Sequence, residues 1–258
     1  MAIELTKINA QYGENVVLKN INLKFQKEKI NAIIGPCGSG KTTLIEIISM
    51  FQKPDSGNVK IADNVKIGYV FEFPDRQFFC KTVFEELKYG LKDKKNLKRI
   101  SDVLRMVGLD DDYLTKNPHY LSNGERRRIA IAAILIANPD VIIFDEPTVG
   151  LDRNNKNNLI RLLKILKQNY QKTIIIVSQD IDFVYSFADY VYVLHNKKMV
   201  LSGPKQDVLT NVTRLQNYDI IPPRIVLLTT KINQKKNLKL PQHEDINDLL
   251  KDMYRYAK

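Results

Sequence analysis

A glycine-rich segment, GPCGSGKT at residues 35–42, constrains the fold of this chain more than any other feature. A predicted strand at 29–34 precedes it and a predicted helix at 42–51 follows it, which is the strand–loop–helix context of a phosphate-binding loop. The glycines allow the backbone to wrap closely around phosphates, and the start of the helix adds free N–H groups. In this spacing Lys41 supplies charge to the β- and γ-phosphates and Thr42 ligates Mg²⁺. The predicted nucleotide-binding residues of the loop are Gly35, Pro36, Cys37, Gly38, Ser39, Gly40, Lys41, Thr42 and Thr43.

A second segment, VIIFDEP at 141–147, places two acidic residues at the end of an apolar run. The run is typical of a buried parallel strand. A carboxylate at such a strand end can hold Mg²⁺ through water, and a second one can polarise an attacking water as a general base. We therefore assign Asp145 to the metal and Glu146 to the water. These two segments imply two cofactors, ATP and Mg²⁺.

A third segment, LSNGE at 121–125, lies between the other two. The order GPCGSGKT, LSNGERRR, IIFDEPTVGLD and IIIVSQD resembles the ATPase subunits of ATP-binding cassette (ABC) systems over roughly residues 1 to 210. This resemblance implies an α/β fold of the P-loop NTPase type, with a mixed sheet core, an antiparallel β subdomain and an inserted α-helical signature subdomain at about 74–137. We expect an ABC ATPase domain at 1–215 and a small α-helical C-terminal extension at 216–258, which would serve dimerisation.

The resemblance also implies that two ATPase domains enclose two ATP molecules head to tail. The signature of one chain, Leu121, Ser122, Asn123, Gly124 and Glu125, then faces the nucleotide of the other chain, with Ser122 and Gly124 at its γ-phosphate. The segment Gly150, Leu151 and Asp152 becomes the D-loop at the dimer interface. Tyr12 matches the aromatic residue that stacks on adenine in this family, although a tyrosine at a strand end needs no such role.

A narrower resemblance begins at residue 67. The segment IGYVFEFPDRQFFCKTVFEELKYG (67–90) is similar to the Q-loop region of the ATPases of energy-coupling factor (ECF) transporters, which are related to cobalt-importer ATPases. The segment PPRIVLLTTKI (222–232) resembles the start of their C-terminal extension. The resemblance implies an ATPase that energises vitamin or metal-ion uptake, with a second ATPase chain, a transmembrane T-component and a substrate-capture protein as partners.

Several positions depart from the family pattern. Glu72 replaces the Q-loop glutamine, and its oxygen can still reach Mg²⁺, but it adds negative charge near the γ-phosphate. Gln179 replaces the switch histidine and cannot become a cation. Glu125 replaces the signature glutamine, and Asn123 replaces a glycine. Asparagine tolerates unusual backbone angles, so we expect Asn123 to be a mild replacement.

These departures suggest a hypothesis about catalysis, with Glu146, Gln179 and Glu72 as the catalytic set and Thr42, Glu72 and Asp145 as the Mg²⁺ set. We expect this chain to bind Mg-ATP in its own loop and to hydrolyse it slowly, while its signature completes a faster site on a partner chain. The rival hypothesis is that Glu146 alone sustains ordinary turnover.

Composition excludes several other classes. Two cysteines, Cys37 and Cys80, cannot form a disulfide framework, and three scattered histidines give no transition-metal spacing. No apolar run reaches the roughly 18 residues that a membrane span needs. The N-terminus lacks the pattern of a signal peptide, so we expect the chain to stay in the cytoplasm. Together with this expectation, the resemblance to transporter ATPases implies a peripheral location at the cytoplasmic face of the cell membrane, held there by a partner. The net charge of +11 suits an anionic surface, but the lysines are dispersed and no nucleic-acid motif is present, so no nucleic-acid partner is expected.

Three alternative functions remain open at this stage. The first is the ATPase of an ordinary ABC importer or exporter. The second is a soluble ABC protein acting on ribosomes or chromosomes, although ribosomal members usually carry two cassettes and chromosomal members a long coiled coil. The third is a nucleotide-binding subunit without useful catalysis, against which Glu146 argues and for which Gln179 argues.

Overall fold

The structure is a computed structural model that describes residues 3–236 and 238–256. Positions 1, 2, 237, 257 and 258, which the predicted domain ranges include, lie outside the described residues. The strands are β1 (Ile3–Tyr12), β2 (Asn15–Lys24), β3 (Ile30–Ile34), β4 (Ser56–Ile61), β5 (Ile67–Val70), β6 (Val141–Asp145), β7 (Thr173–Val177), β8 (Tyr190–His195) and β9 (Lys198–Pro204). The helices are α1 (Lys41–Ile48), α2 (Val83–Gly90), α3 (Lys98–Met106), α4 (Asn123–Leu135), α5 (Arg153–Gln168), α6 (Ile181–Phe187), α7 (Lys205–Leu209), α8 (Val212–Gln216), α9 (Arg224–Lys236) and α10 (Ile246–Tyr256).

The centre of the molecule is a sheet with strand order β5-β6-β7-β3-β8-β9. Its strands are parallel except for β9, which forms an antiparallel hairpin with β8. Every residue of β3, β6 and β7 is buried. Short runs of branched residues with both faces covered are typical of such central strands.

Side chains of the central sheet alternate between two cores. In β6, Ile142 and Phe144 pack on the side of α4 and α5. The intervening Val141 and Ile143 pack on the opposite side with α1 and the first two strands. This period of two is what buries a parallel strand on both faces.

A second, antiparallel sheet covers the α1 side, with strand order β2-β1-β4. Its inward residues, among them Ile8, Leu18 and Ile21, are fully buried in the same core as α1. The chain between β5 and β6 is helical, with short 3₁₀ turns at Pro74–Arg76, Asp111–Tyr113 and Pro118–Tyr120 beside α2, α3 and α4. This is the architecture that the motifs imply, with a helical segment inserted between phosphate loop and acidic strand.

The last part of the chain packs onto the main body. Ile220 and Val226 are buried in one cluster with Ala32 and Ile34 of β3. The chain beyond residue 216 therefore shares core with the central sheet over its first turns, and α10 follows at the surface. Among residues 3–236 and 238–256, no helix combines the length and apolar character needed to cross a bilayer.

Asn31 anchors the strand that leads into the glycine-rich loop. Its side chain is fully buried. Its Nδ2 donates to the carbonyls of Gln26, Lys29 and Ile174, and its Oδ1 accepts from the backbone N–H of Gln26 at 2.9 Å. The amide thus satisfies backbone groups where β3 begins, since buried polar groups need partners.

We predict that Asn31→Ala lowers the free energy of unfolding by about 2 to 4 kcal/mol, because buried carbonyl and N–H groups lose their partner. Urea denaturation followed by circular dichroism measures this. Asn58→Ala, at an exposed position of β4, is the matched control and should change stability by less than about 0.5 kcal/mol. Equal effects of the two substitutions would contradict the anchoring role of Asn31.

Candidate functional site

Residues from three parallel strands meet at one edge of the central sheet. The glycine-rich loop follows β3, Asp145 ends β6, and Gln179 lies two residues after β7. Since the carboxyl ends of parallel strands lie along the same edge, these segments become neighbours. The carboxylate of Glu146 confirms this by accepting a hydrogen bond from the backbone N–H of Gln179 at 3.1 Å.

The glycine-rich loop is tightly seated. Gly40 has a φ of 103° immediately before α1, and a Cβ there would lie 2.9 Å from the carbonyl oxygen of Val17. Only glycine fits this combination of backbone angle and close approach. Lys41 is buried, and its Nζ donates to the carbonyls of Gly35 and Pro36, each at 2.9 Å. Burial lowers the pKa of Lys41, while Glu146 and Asp145 act in the opposite direction.

Two buried oxygen atoms at this edge have no hydrogen-bond partner among the described residues. They are Ser39 Oγ in the loop and Glu146 Oε1 after β6. Native structures leave few such atoms, so each marks a place where a phosphate, water or ion would complete the bonding. Thr42, in the first turn of α1, is exposed. The donor set therefore fits a phosphate group with a hard cation.

Glu146 occupies an unusual backbone conformation. Its φ is +42°, a region that few residues other than glycine adopt. Its backbone N–H donates to the carbonyl of Val177 at 2.9 Å, which fixes the residue to the end of β7. Burial raises the pKa of the Glu146 carboxyl, and the nearby charges of Asp145 and Glu72 add to the rise. A carboxylate with a raised pKa is better suited to accept a proton from water.

Asp145 is held by a tyrosine of the neighbouring strand. The Tyr69 hydroxyl donates to Asp145 Oδ2 at 2.9 Å, and both side chains are buried. Burial raises the pKa of Asp145, with Glu72 contributing to the rise and the Tyr69 hydrogen bond opposing it. Tyr69 thus fixes the orientation of the carboxylate and favours its charged form.

The charge of Glu72 contributes to the raised pKa of both Asp145 and Glu146. Its backbone carbonyl accepts a hydrogen bond from Arg127 of α4 at 2.8 Å. The same Arg127 nitrogen donates to the carbonyl of Val149 at 3.2 Å. One buried guanidinium therefore joins α4 to the loop after β5 and to the loop after β6. The side chain of Arg127 therefore lies in the interior of the protein and not in solvent.

The signature forms the start of α4. Ser122 is the N-cap residue and forms a capping box with Glu125. Asn123 lies in the first turn of the helix with helical backbone, and its Oδ1 accepts from Arg126. The position therefore demands no unusual backbone angle, so the tolerance of asparagine for such angles is not a reason to expect a mild replacement here. Within the described residues, no hydrogen bond joins the signature to the glycine-rich loop.

The remaining predicted residues lie around the same region. Gly150 has a φ of 74°, Leu151 is partly buried, and Asp152 caps α5 by accepting from the backbone N–H of Asn155 at 2.8 Å. Tyr12 ends β1 and is half exposed, and its hydroxyl donates to Gln52 at 2.7 Å beyond the end of α1. Its ring is therefore available for stacking near the phosphate-loop helix.

Comparison with known proteins identifies the family. Residues 18–149 match the family described as ABC transporter. The chain belongs to the ABC transporter family. It is 32% identical over 266 residues to the energy-coupling factor transporter ATP-binding protein EcfA2 of Acetivibrio thermocellus, covering 95% of this chain and 93% of that protein. It is 35% identical over 247 residues to EcfA2 of Staphylococcus aureus, covering 88% and 86%.

Solved structures of ABC proteins agree with this assignment. CbiO1 from Clostridium perfringens, part of the ABC transporter complex CbiONQ, matches with a TM-score of 0.75 at 30% identity, covering 89% of this chain and 98% of that one. The ATP-binding cassette MJ0796, a dimer bound to ADP and phosphate after hydrolysis, matches with a TM-score of 0.70 at 28% identity, covering 78% and 98%. The predicted fold class is confirmed, and the chain is an ABC ATPase.

Three residues that shape the site of this ABC ATPase were not predicted from the sequence. Tyr69 occupies an ordinary strand position, and its separation of 76 residues from Asp145 hides the contact. Arg127 lies within a run of three arginines that is typical of a solvated surface. Tyr113 is the third, and its hydroxyl donates to Glu125 at 2.6 Å. The sequence signal for this contact is a tyrosine a few residues before a signature that carries a glutamate, Glu125.

We predict that Tyr69→Phe shifts the acidic limb of the pH–rate profile of ATP hydrolysis upward by about 0.5 to 1 pH unit. Without the tyrosine donor, the pKa of Asp145 rises further, so its charged form appears only at higher pH. Measuring ATP turnover between pH 5 and 8 checks this. Tyr192→Phe is the matched control, since that buried hydroxyl donates to the carbonyl of Lys24 in another part of the fold. An unchanged profile in Tyr69→Phe would contradict the role of Tyr69.

Proposed function

We propose that this chain is the ATP-hydrolysing subunit of an ECF-type importer and that it acts peripherally at the cytoplasmic face of the cell membrane. In this proposal a second ATPase chain completes the nucleotide sites, and a transmembrane T-component receives the mechanical work. A separate membrane protein captures the substrate, a vitamin or a metal ion. The relatives named as ECF transporter ATP-binding proteins support this assignment.

An aromatic surface formed by Phe73, Phe79 and Tyr89, in the segment that follows Glu72, carries the proposal. The rings of Phe79 and Tyr89 meet edge to face at 4.7 Å between centroids, and both side chains are largely exposed. Phe73, next to Glu72, is also exposed and lies under the guanidinium of Arg76. Clustered exposed aromatics mark a binding surface for protein. Arg127 connects this loop to the signature helix, so a membrane partner bound here would respond to nucleotide.

The nucleotide site is proposed as follows. Lys41 and Ser39 contact the phosphates, and Thr42 with Asp145 and Glu72 hold Mg²⁺. A bound Mg²⁺ would neutralise charge on the phosphates. Glu146 orients and deprotonates water, since its free Oε1 lies buried at the same edge. Tyr12 stacks on the adenine ring.

The C-terminal extension is proposed to strengthen pairing of the two ATPases. On α10, Ile246, Leu250 and Tyr254 are exposed at a spacing of four residues, which places them on one face of the helix. An exposed apolar stripe of this kind is suited to a partner helix. The domain boundary near residue 216 belongs to this proposal.

Affinity purification of the tagged chain from detergent-solubilised membranes tests the proposed function. Mass spectrometry of the co-purifying chains should find a second ABC ATPase and an integral membrane protein. Recovery of ribosomes or chromosomal proteins instead would contradict it. Recovery of a membrane protein with two fused transporter domains and no second ATPase gene product would favour an ordinary ABC transporter.

We predict that Phe79→Ala combined with Tyr89→Ala reduces recovery of the membrane partner at least about tenfold, because exposed aromatic anchors carry much of the energy of an interface. ATP binding by the variant should stay unchanged. Quantitative mass spectrometry and nucleotide titration measure the two quantities. Tyr170→Ala, which removes a half-exposed ring elsewhere on the surface, is the control. Equal loss in this control would show that the aromatic surface is not specific.

A further prediction concerns the division of catalysis between the two sites. Glu72 adds negative charge and Gln179 lacks a cationic form, so we expect this chain's own site to be slow. Glu146→Gln in this chain alone should leave more than half of the ATP turnover of the complex. The corresponding change in the partner ATPase alone should reduce turnover by about 10²-fold or more, the usual contribution of a general base. The reverse result would establish that Glu146 sustains the main turnover.

A further inference from the structure

Ser122, the signature residue that would face the partner's nucleotide, is bound to its own chain. Its hydroxyl donates to Glu125 Oε2 at 2.6 Å, and its backbone N–H donates to the same oxygen at 2.8 Å. The other carboxylate oxygen accepts from the Tyr113 hydroxyl at 2.6 Å. A serine hydroxyl has a single proton, so it cannot donate to Glu125 and to a phosphate together.

Helix capping does not account for all of these bonds. A capping box needs two hydrogen bonds, one in each direction between side chain and backbone. The box at the start of α2 has these two, both at 3.2 Å, between Thr82 and Glu85. Within the described residues, the Thr82 hydroxyl donates nothing to Glu85. The hydroxyl–carboxylate bond of Ser122 and the bond from Tyr113 are additional.

The charge of Glu125 matters at this place. The three hydrogen bonds from Ser122 and Tyr113 lower the pKa of Glu125 to about 2, so the group is a full anion at working pH. A phosphate oxygen within hydrogen-bond reach of Ser122 Oγ would lie only a few ångströms from this carboxylate. Like charges at such a separation repel, and salt screens the repulsion where solvent reaches it.

We propose that Tyr113 and Glu125 hinder binding of the partner's ATP at Ser122. Glu125 accepts the serine proton in a hydrogen bond, and its negative charge repels the phosphate. We call this arrangement the latch. Closure of the two chains requires the serine proton to turn from Glu125 to the phosphate, against the repulsion of the carboxylate. The latch therefore weakens the ATP-bound closed pair and favours its reopening. This inference rests on the proposed function, in which Ser122 faces the nucleotide of a second ATPase.

Glu125→Gln in the purified complex tests the latch. Glutamine keeps the size and a capping oxygen but removes the charge. The ATP concentration that half-saturates turnover should fall about threefold to tenfold at low salt, with a much smaller fall at 0.5 M salt, since screening removes the repulsion. A merely structural role would give no such salt dependence. An unchanged or higher half-saturating concentration would overturn the proposal.

Two further variants make the result interpretable. Tyr113→Phe keeps the charge but removes the hydrogen bond that fixes the orientation of the Glu125 carboxylate, so the carboxylate can turn away from Ser122. This variant should therefore also lower the half-saturating ATP concentration, by a smaller factor. Glu85→Gln makes the same substitution in the capping box of α2 and should leave that concentration unchanged. Thermal denaturation of each variant reports whether the fold survives. If Tyr113→Phe leaves the half-saturating ATP concentration unchanged, Tyr113 is not part of the latch.

Ser122→Ala separates failure of the latch from failure of the proposed function. If Ser122 contacts the partner's nucleotide, this variant raises the half-saturating ATP concentration severalfold, the usual loss for one hydrogen bond to a charged group. A rise in Ser122→Ala without any fall in Glu125→Gln overturns only the latch. No change in either variant overturns the nucleotide-facing role of the signature, and the latch with it.

Discussion

Hydrogen bonding of β3 between β7 and β8 is the constraint on which the rest of the structure depends. Ile33 is paired with Val177 on one side and with Tyr192 on the other, in parallel register. This pairing fixes where the glycine-rich loop leaves the sheet. The pairing of β6 with β7 then places Asp145 opposite Val177 in the sheet. The site is a consequence of strand register, because a shift of one residue would turn every buried side chain to the opposite face.

Charge is unbalanced at this edge of the sheet. Asp145 and Glu146 are buried, Glu72 and Glu46 lie near enough to raise the pKa of Asp145, and Lys41 and Arg127 are buried cations near these acids. Burying two adjacent carboxylates is unfavourable unless cations or hydrogen-bond donors compensate. Tyr69 and the N–H of Gln179 supply two donors. A bound divalent cation, as proposed for Thr42, Asp145 and Glu72, would supply further compensation, and a glutamate at position 72 would increase the need for it.

Sequence predicted the parts of the site that local spacing determines. The loop at 35–42, the acidic pair after β6 and the start of the signature helix each depend on residues a few positions apart, so short motifs define them. Contacts that join distant segments were missed, because the chain positions involved carry no local pattern. Tyr69 and Asp145 are 76 residues apart, and Arg127 and Glu72 are 55 apart. Glu125 departs visibly from the family pattern in the sequence. Its hydrogen bond with Tyr113, however, depends on how residues 111–113 fold around it.

Arg127 limits how the signature helix can move. Its guanidinium is buried and binds the carbonyls of Glu72 and Val149, while its second terminal nitrogen has no partner among the described residues. Separating α4 from either loop would leave a buried charge with fewer hydrogen bonds, which is costly. The helix and the two loops are therefore favoured to move together. Any displacement of the start of α4 is therefore expected to carry with it the loop that holds Phe73 and Glu72.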